Sequence, residues 1–459
     1  MNRRSFFHDL SLGLGGIAVA SLSSRADVRI APQRPRVRRV IQVFCPGGVS
    51  HVDTFDFKPE LIAQDGKPLT GKGKIDTFFA QPGNLAKSPF TFKQHGQCGR
   101  WVSNIFPQLA TCVDDLTFIH SMSAKSSNHT PAGFQMNSGF IMNGYPAMGS
   151  WVSYGLGNES DNLPAFVVLP DPRGLPAGGA INWSNGFLPA SHQGVAFRAT
   201  GEPITDLQTP KETSAAEREA ATSLLAKMNK GYKETHPDDG SLTARIRSYE
   251  LAARMQLTVP EAVNVDGETE ATHRLYGMDN PASAAFGRNC LLARRLVERG
   301  VRFVQLWNGG AFGSPRINWD AHEDVHDNHT KQAATLDKPL AGLLKDLKQR
   351  GLLDDTLVLF TTEFGRTPFT QGVGRPGRDH HQHAFTVFMA GAGLKPGTAY
   401  GSSDEFGYKI AENEVTIYDF HATILHLLGI DHTKLTYYHN GIQRRLTDVH
   451  GEVVEGVLA

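Results

Sequence analysis

The chain is poor in cysteine: four among 459 residues, Cys45, Cys98, Cys112 and Cys290, with no CxxC pair. That scarcity excludes a disulfide framework as the main support of so long a fold and disfavours a thiolate zinc site. An oxidising compartment would allow a bridge, with Cys98 and Cys112 closing the shortest loop, and the spacing does not decide it. Net charge is also missing: 46 Lys plus Arg balance 46 Asp plus Glu. With no long basic run, the chain lacks the clustered cations that nucleic-acid binding rests on. No stretch has the roughly 18 consecutive apolar residues that a membrane helix needs. The phosphate loop GxxxxGK[ST] and the nucleophile elbow GxSxG are absent too. What is present is a globular composition, 40% hydrophobic and 20% charged, with 19 histidines beside nine methionines and five tryptophans. Imidazole is the residue type in surplus.

The N-terminus reads as an export segment. Arg3-Arg4-Ser5-Phe6-Phe7 precedes an apolar stretch from Leu10 to Leu22 and small residues from Ser23 to Ala26, the order of a twin-arginine secretory signal. Residues 1–30 are therefore expected to be removed, with no cysteine near the cleavage point to carry a lipid. The expected mature protein is periplasmic or extracellular, without a stable membrane anchor.

At roughly 150 residues per domain the length permits about three domains, but the patterning favours one elaborated α/β domain at 38–459. Arg39 to Phe44, Leu116 to Ile119, Ala165 to Leu169, Val301 to Leu306, Thr356 to Thr361 and Phe385 to Met389 read as buried strands. Ser241 to Gln256, Asn289 to Arg299, Leu336 to Arg350 and Tyr418 to Leu428 read as helices, several closed by a glycine. Strands alternating with helices predict a mostly parallel sheet covered on both faces. The segments 62–100 and 170–195 read as long loops or insertions, and about 205–280 as a helical cap. In such sheets ligands sit beyond the carboxyl ends of the strands. Polar residues gather there: Ser50, His51 and Asp53; His129 and Thr130; Asp320 and His322; Glu363 and Arg366; Asp379 and His380. Six of the 19 histidines fall between 322 and 383. Imidazole and carboxylate delivered by separate strand ends are how an α/β sheet assembles a divalent-metal site.

Three short motifs compete with that reading. His322-Glu323-Asp324-Val325-His326 matches the zinc-protease HExxH, yet its flanks lack the apolar stripe of a buried helix. Gly372 to Gly377 matches GxGxxG, with Pro376 interrupting it and no helix following. In Asn128-His129-Thr130-Pro131-Ala132, Thr130 suits an N-cap and Pro131 a first helical residue. Thr130 is accordingly a helix cap, a nucleophile in an anion-favouring position, or both.

The twin-arginine start, Gly47-Gly48-Val49-Ser50-His51-Val52-Asp53-Thr54-Phe55-Asp56, Asn128-His129-Thr130-Pro131-Ala132, Met148-Gly149-Ser150-Trp151, Trp319-Asp320-Ala321-His322, Glu363-Phe364-Gly365-Arg366-Thr367-Pro368 and Gly377-Arg378-Asp379-His380 together resemble the secreted domain-of-unknown-function family fifteen-oh-one, within the alkaline-phosphatase/sulfatase superfamily. Asp419 to Ile430 resembles the closing helix of sulfatases, with Asp419 and Thr423 structural. The resemblance implies an alkaline-phosphatase-like three-layer sandwich with a mostly parallel central sheet and loop or helical insertions. It implies a hydrolase of phosphate or sulfate esters using one or two divalent metals, zinc first and calcium, magnesium or manganese as alternatives. The implied ligands are Ser50, His51, Asp53, Asp320, His322, Glu363, Asp379 and His380, with His383 the alternative to His380. The implied catalytic residues are Thr130, His129 and Arg366. The implied substrate is an anionic ester such as a sulfated or phosphorylated glycan, with Trp183, Arg366 and Arg378 as contacts. The chain departs from the pattern in lacking C-x-P-x-R, in carrying Glu363-Phe364 for Asp-His, and in having no Asp directly after the first strand. A secreted, non-catalytic ligand- or partner-binding member is the alternative those departures leave, and a zinc protease a distant third.

Overall fold

The structure, a computed structural model, describes residues 36–79, 81–198, 214–235, 250–251, 255, 259–313, 315–372 and 376–459. The export segment, nearly all of the helix expected from Ser241 to Gln256, and the middle of the GxGxxG match lie outside the described residues.

The main strands in chain order are β1 (Arg39–Phe44), β2 (Pro82–Leu85), β3 (Leu116–Ser123), β4 (Phe166–Leu169), β5 (Val195–Ala196), β6 (Phe303–Trp307), β7 (Thr356–Thr361), β8 (Gly365–Gln371), β9 (Arg378–His381), β10 (Phe385–Gly391), β11 (Thr398–Tyr400) and β12 (Val415–Thr416). The main helices are α1 (His51–Thr54), α2 (His129–Ser138), α3 (Met148–Leu156), α4 (Ala215–Thr235), α5 (Ala284–Glu298), α6 (Val325–Gln349) and α7 (Ile417–Leu427). A nine-stranded sheet runs β11-β3-β10-β7-β1-β6-β4-β5, with β12 also on β3. Every pairing in it is parallel except those of β10, which opposes both β3 and β7. A second sheet, β9-β8-β2, is antiparallel.

The central strands bury both faces, as parallel strands do when helices cover them. Ile41, Val43, Val304, Leu306, Val358 and Phe360 point into one core, where Cys290 and Leu291 of α5 and Leu336 and Leu340 of α6 meet them. Val40, Phe44, Phe303, Trp307, Leu357 and Leu359 point into the other, against Trp151 and Val152 of α3 and Phe420 and Ile424 of α7. The fold is thus mixed α/β in three layers. No helix among the described residues is long and apolar enough to cross a membrane. All four cysteines are free.

One polar row crosses the apolar sheet. Gln42 on β1 donates to Thr361 on β7 at 3.2 Å, and Gln305 on β6 donates to Gln42 at 3.1 Å and to Asn137 of α2 at 2.8 Å.

Two elements differ from their sequence reading. Helix α6 starts at Val325, well before Leu336, because Asp324 caps it by accepting from the amides of His326 and Asp327. Its first turns bury Asn328, His329 and Gln332, so the inner face shows no apolar period. Helix α2 is capped by Asn128, whose side chain accepts from the Thr130 amide at 3.3 Å. Thr130 lies inside the first turn and is not the cap.

Candidate metal centre

Four side chains meet beyond the carboxyl ends of the sheet. His129 opens α2, which follows β3; Asp320 and His322 lie in the loop between β6 and α6; His380 lies on β9. One ligand atom from each falls within 4.8 Å of all the others. The loop carrying Asp320 is laid against the turn after β1, where the Trp319 amide donates to Pro46 at 2.9 Å. Gly47 in that turn has φ +113°, and a Cβ there would lie 2.6 Å from the Trp319 nitrogen and collide with the Asp320 amide. Only glycine permits this approach.

Asp320 Oδ1 is the hub. His322 Nε2 lies 2.9 Å from it, His129 Nε2 3.3 Å and His380 Nε2 3.4 Å. The Nε2 atoms of His322 and His380 are 2.8 Å apart. Each imidazole spends its other nitrogen on an oxygen acceptor: His129 Nδ1 on Glu363 Oε1 at 2.7 Å, His380 Nδ1 on the Ser127 carbonyl at 2.6 Å, and His322 Nδ1 on Gln371 Oε1 at 2.5 Å. An oxygen that only accepts requires Nδ1 to carry the proton, which leaves Nε2 as a lone pair. Three Nε2 atoms, each a lone pair in the neutral imidazole, and a carboxylate oxygen therefore face one another. His129 Nε2 is buried and makes no hydrogen bond. These four groups could hold a cation, and their outer acceptors are of the kind that fix ligand tautomers in metal sites.

The electrostatics record the same crowding. Burial alone would raise the Asp320 carboxyl, but the Arg366 guanidinium and the three imidazoles outweigh it and hold it far below the carboxylate range. Burial would lower His129, yet Asp320 and Glu363 raise it above the usual histidine value. Burial, with the charges of Arg366 and His129, pushes His380 well down.

The other expected site residues are placed as follows. Glu363 follows β7 and also accepts from the Gly47 amide at 2.7 Å, so it supports His129 from behind. Arg366 is fully buried, and its donors go to Asp320 Oδ1 at 2.5 Å, to the Gly48 and Arg378 carbonyls at 3.0 Å each, and to Gly47. It holds Asp320 from within the protein and is not exposed to a substrate. Ser50 and Asp53 are outside the cluster: Ser50 Oγ donates to Asp53 at 2.5 Å, and Asp53 is neutralised by Arg378 at 2.6 Å. His51 is bonded to the Gly407 carbonyl at 2.8 Å. Asp379 accepts from the amides of Phe78, Phe79 and His380 at 2.8, 3.0 and 2.8 Å. His383 faces Asp76 on the surface at 3.3 Å. Thr130, next to His129, is half-buried, and its hydroxyl makes no hydrogen bond to a described residue. Trp183 is buried in the core, 6.0 Å from Trp307.

The HExxH match does not form a protease helix. His322 precedes the α6 cap at Asp324, and His326 stacks on Phe90 at 5.3 Å. Gln371 and the Ser127 carbonyl were not readable in advance. An amide two strands' length away and a main-chain oxygen carry no sequence signature of orienting a ligand.

Over residues 37–458 the chain matches the profile of a family described as "Protein of unknown function (DUF1501)". A search of curated proteins found no match. Solved structures similar to it include the lipoteichoic acid synthase LtaP from Listeria monocytogenes, 10% identical with a TM-score of 0.38 over 91% of this chain and 76% of that one. The PsFucS1 sulfatase from Pseudoalteromonas sp. is 11% identical, with a TM-score of 0.36 over 91% and 71%. The alkaline phosphatase from the Antarctic bacterium TAB5 is 12% identical, with a TM-score of 0.33 over 80% and 95%.

Proposed function

The chain belongs to the DUF1501 family, and from that premise and the facing lone pairs at Asp320 we propose that it is an exported, metal-dependent hydrolase of phosphate or sulfate esters. The metal is held by His129, Asp320, His322 and His380. Three imidazole nitrogens and one carboxylate oxygen suit zinc, which takes such donors in four-coordinate sites. The single observation that carries the reading is that all three histidines spend Nδ1 on an oxygen acceptor and turn Nε2 toward one carboxylate oxygen. The ester class rests on the resemblance of the strand-end motifs, and export on Arg3-Arg4.

A divalent metal bound there would polarise an ester oxygen and neutralise charge developing in the transition state. The protein's own residues prepare that chemistry. Glu363, the Ser127 carbonyl and Gln371 fix the three imidazoles, and Arg366 keeps Asp320 ionised and in place. Thr130 offers an uncommitted hydroxyl one residue from His129 and is the candidate nucleophile.

Elemental analysis of the purified protein tests this directly. About one divalent ion per chain is expected, lost in Asp320→Ala and His322→Ala and kept in His326→Ala, which the protease reading would make essential. Chromogenic phosphate and sulfate esters then report turnover. Absence of metal, with no thermal stabilisation by Zn²⁺, Mn²⁺ or Ca²⁺, overturns the proposal. Bound metal without turnover of any ester would favour the non-catalytic alternative.

A further inference from the structure

Every imidazole of the donor set carries a phenylalanine. Phe312 stacks on His129 at 4.1 Å, Phe79 stands edge-on to His322 at 5.0 Å, and Phe78 lies over His380 at 4.8 Å. Phe364, fully buried, fills the space beneath, 4.9 Å from His129 and 4.7 Å from His380. Two of the first three face outward, Phe79 at 61% exposed and Phe78 at 39%, and Phe312 is half-buried. Single exposed apolar side chains are ordinary, but these are held on purpose. Asp379, 1% exposed, spends one carboxylate oxygen on the amides of Phe78 and Phe79 and the other on the amide of His380. A buried charge thereby ties the position of two rings to the backbone of one ligand.

The described cations nearest Asp320 are already paired. Arg366 is taken up by Asp320 and three carbonyls, and Arg316 by Asp320 and Glu323. Among the described residues, the two cations beside Asp320 are thus paired with carboxylates. Recognition beyond the ester anion falls to the rings, whose faces favour a flat partner with an apolar side.

We propose that Phe78, Phe79 and Phe312 form an aromatic rim that receives a ring-bearing leaving group. The esters turned over are then those of cyclic alcohols, sugars or phenols, and not of short acyclic ones. Asp379 is the positioning residue of that rim. This rests on reading the cluster as a metal-dependent ester site, and the test separates the two.

Metal-loaded protein is titrated calorimetrically with phenylphosphonate and with methylphosphonate, which present the same anion with and without a ring and cannot be hydrolysed at an ester bond. Phenylphosphonate is expected to bind about tenfold tighter, a difference of ~1.4 kcal/mol. Phe79→Ala, an exposed change that leaves the core intact, should remove that preference and keep methylphosphonate affinity within about twofold. Asp379→Asn should weaken phenylphosphonate binding more than methylphosphonate binding. Equal affinity for the two probes in the wild type, or a preference that survives Phe79→Ala combined with Phe312→Ala, overturns the rim and leaves the ester site standing. Failure of both probes to bind overturns the ester site itself. In turnover, glucose 6-phosphate and phenyl phosphate, or their sulfates, separate sugars from phenols; preference for glycerol 3-phosphate over both refutes the rim.

Discussion

Glu363→Gln isolates one bond of the metal centre. Glu363 Oε1 accepts from His129 Nδ1 and from the Gly47 amide, both at 2.7 Å, and Oε2 lies 3.3 Å from the Thr362 hydroxyl. Glutamine has the same shape, so its oxygen can keep both bonds while its amide turns to Thr362. What disappears is the negative charge. A charge-assisted bond is roughly twice as strong as a neutral one, so about 1–2 kcal/mol of support for the His129 tautomer is lost. Outer-sphere partners of ligating histidines typically account for about 10- to 100-fold in metal affinity, and the expectation here is about tenfold weaker binding. Competition against a chelator of known affinity, at fixed pH, measures it. Glu323→Gln is the matched control: Glu323 pairs with Arg316 at the surface and is 65% exposed on its side chain, so affinity should stay within about twofold. Wild-type affinity in Glu363→Gln, or an equal loss in Glu323→Gln, would refute the assignment of His129 as a ligand oriented from behind.

Acid should unfold the metal-free protein through buried imidazoles remote from the cluster. Burial lowers His120 and His421 to about 4, so between about pH 6.5 and 4 the unfolded chain takes up protons that the folded one refuses, and stability is present above 6.5 and lost as pH falls. Each contributes about 3 kcal/mol over that window; melting temperatures in chelator from pH 8 to 4 should fall, and His421→Leu should flatten the slope. Gly47→Ala should destabilise by at least about 1–3 kcal/mol from backbone strain alone and also reduce bound metal, since its Cβ displaces the Trp319–Asp320 backbone; a variant with unchanged metal content would contradict the close approach.

Much of the architecture could be read from residues alone. The bounds of β1 and β7 coincide with their apolar runs, and β3, β4, β6 and β10 differ from theirs by a few residues. Continuous apolar strands announce a sheet covered on both faces. Helix α6 was misjudged where His329 and Gln332 occupy its buried side, because burying polar groups erases the period that marks a helix. The site was legible as a set of acids and imidazoles at strand ends, but not as a choice among them. Asp53 and Asp379 have the same chemistry as Asp320, yet one is neutralised by Arg378 and the other clamps three amides. Which carboxylate also meets three imidazoles is decided by residues far apart in the chain, His129, His322 and His380. Arg366 and Arg378, expected as substrate contacts, are instead spent on Asp320 and Asp53.

The polar row beneath the site sets the lateral alignment of the molecule. Gln42, Gln305 and Thr361 lie on three neighbouring parallel strands, and Asn137 links the row to α2. Apolar side chains tolerate sliding past one another, because valine against leucine costs little wherever they meet. Amides do not: a one-residue slip turns each to the opposite face and strands it in hydrocarbon, at about 1–3 kcal/mol per orphaned group. The row therefore works as an index mark. Strand β6 leads into the loop that delivers Asp320, and α2 begins with His129, so the bond between Gln305 and Asn137 keeps two suppliers of the donor set in step from a layer that no ligand ever touches.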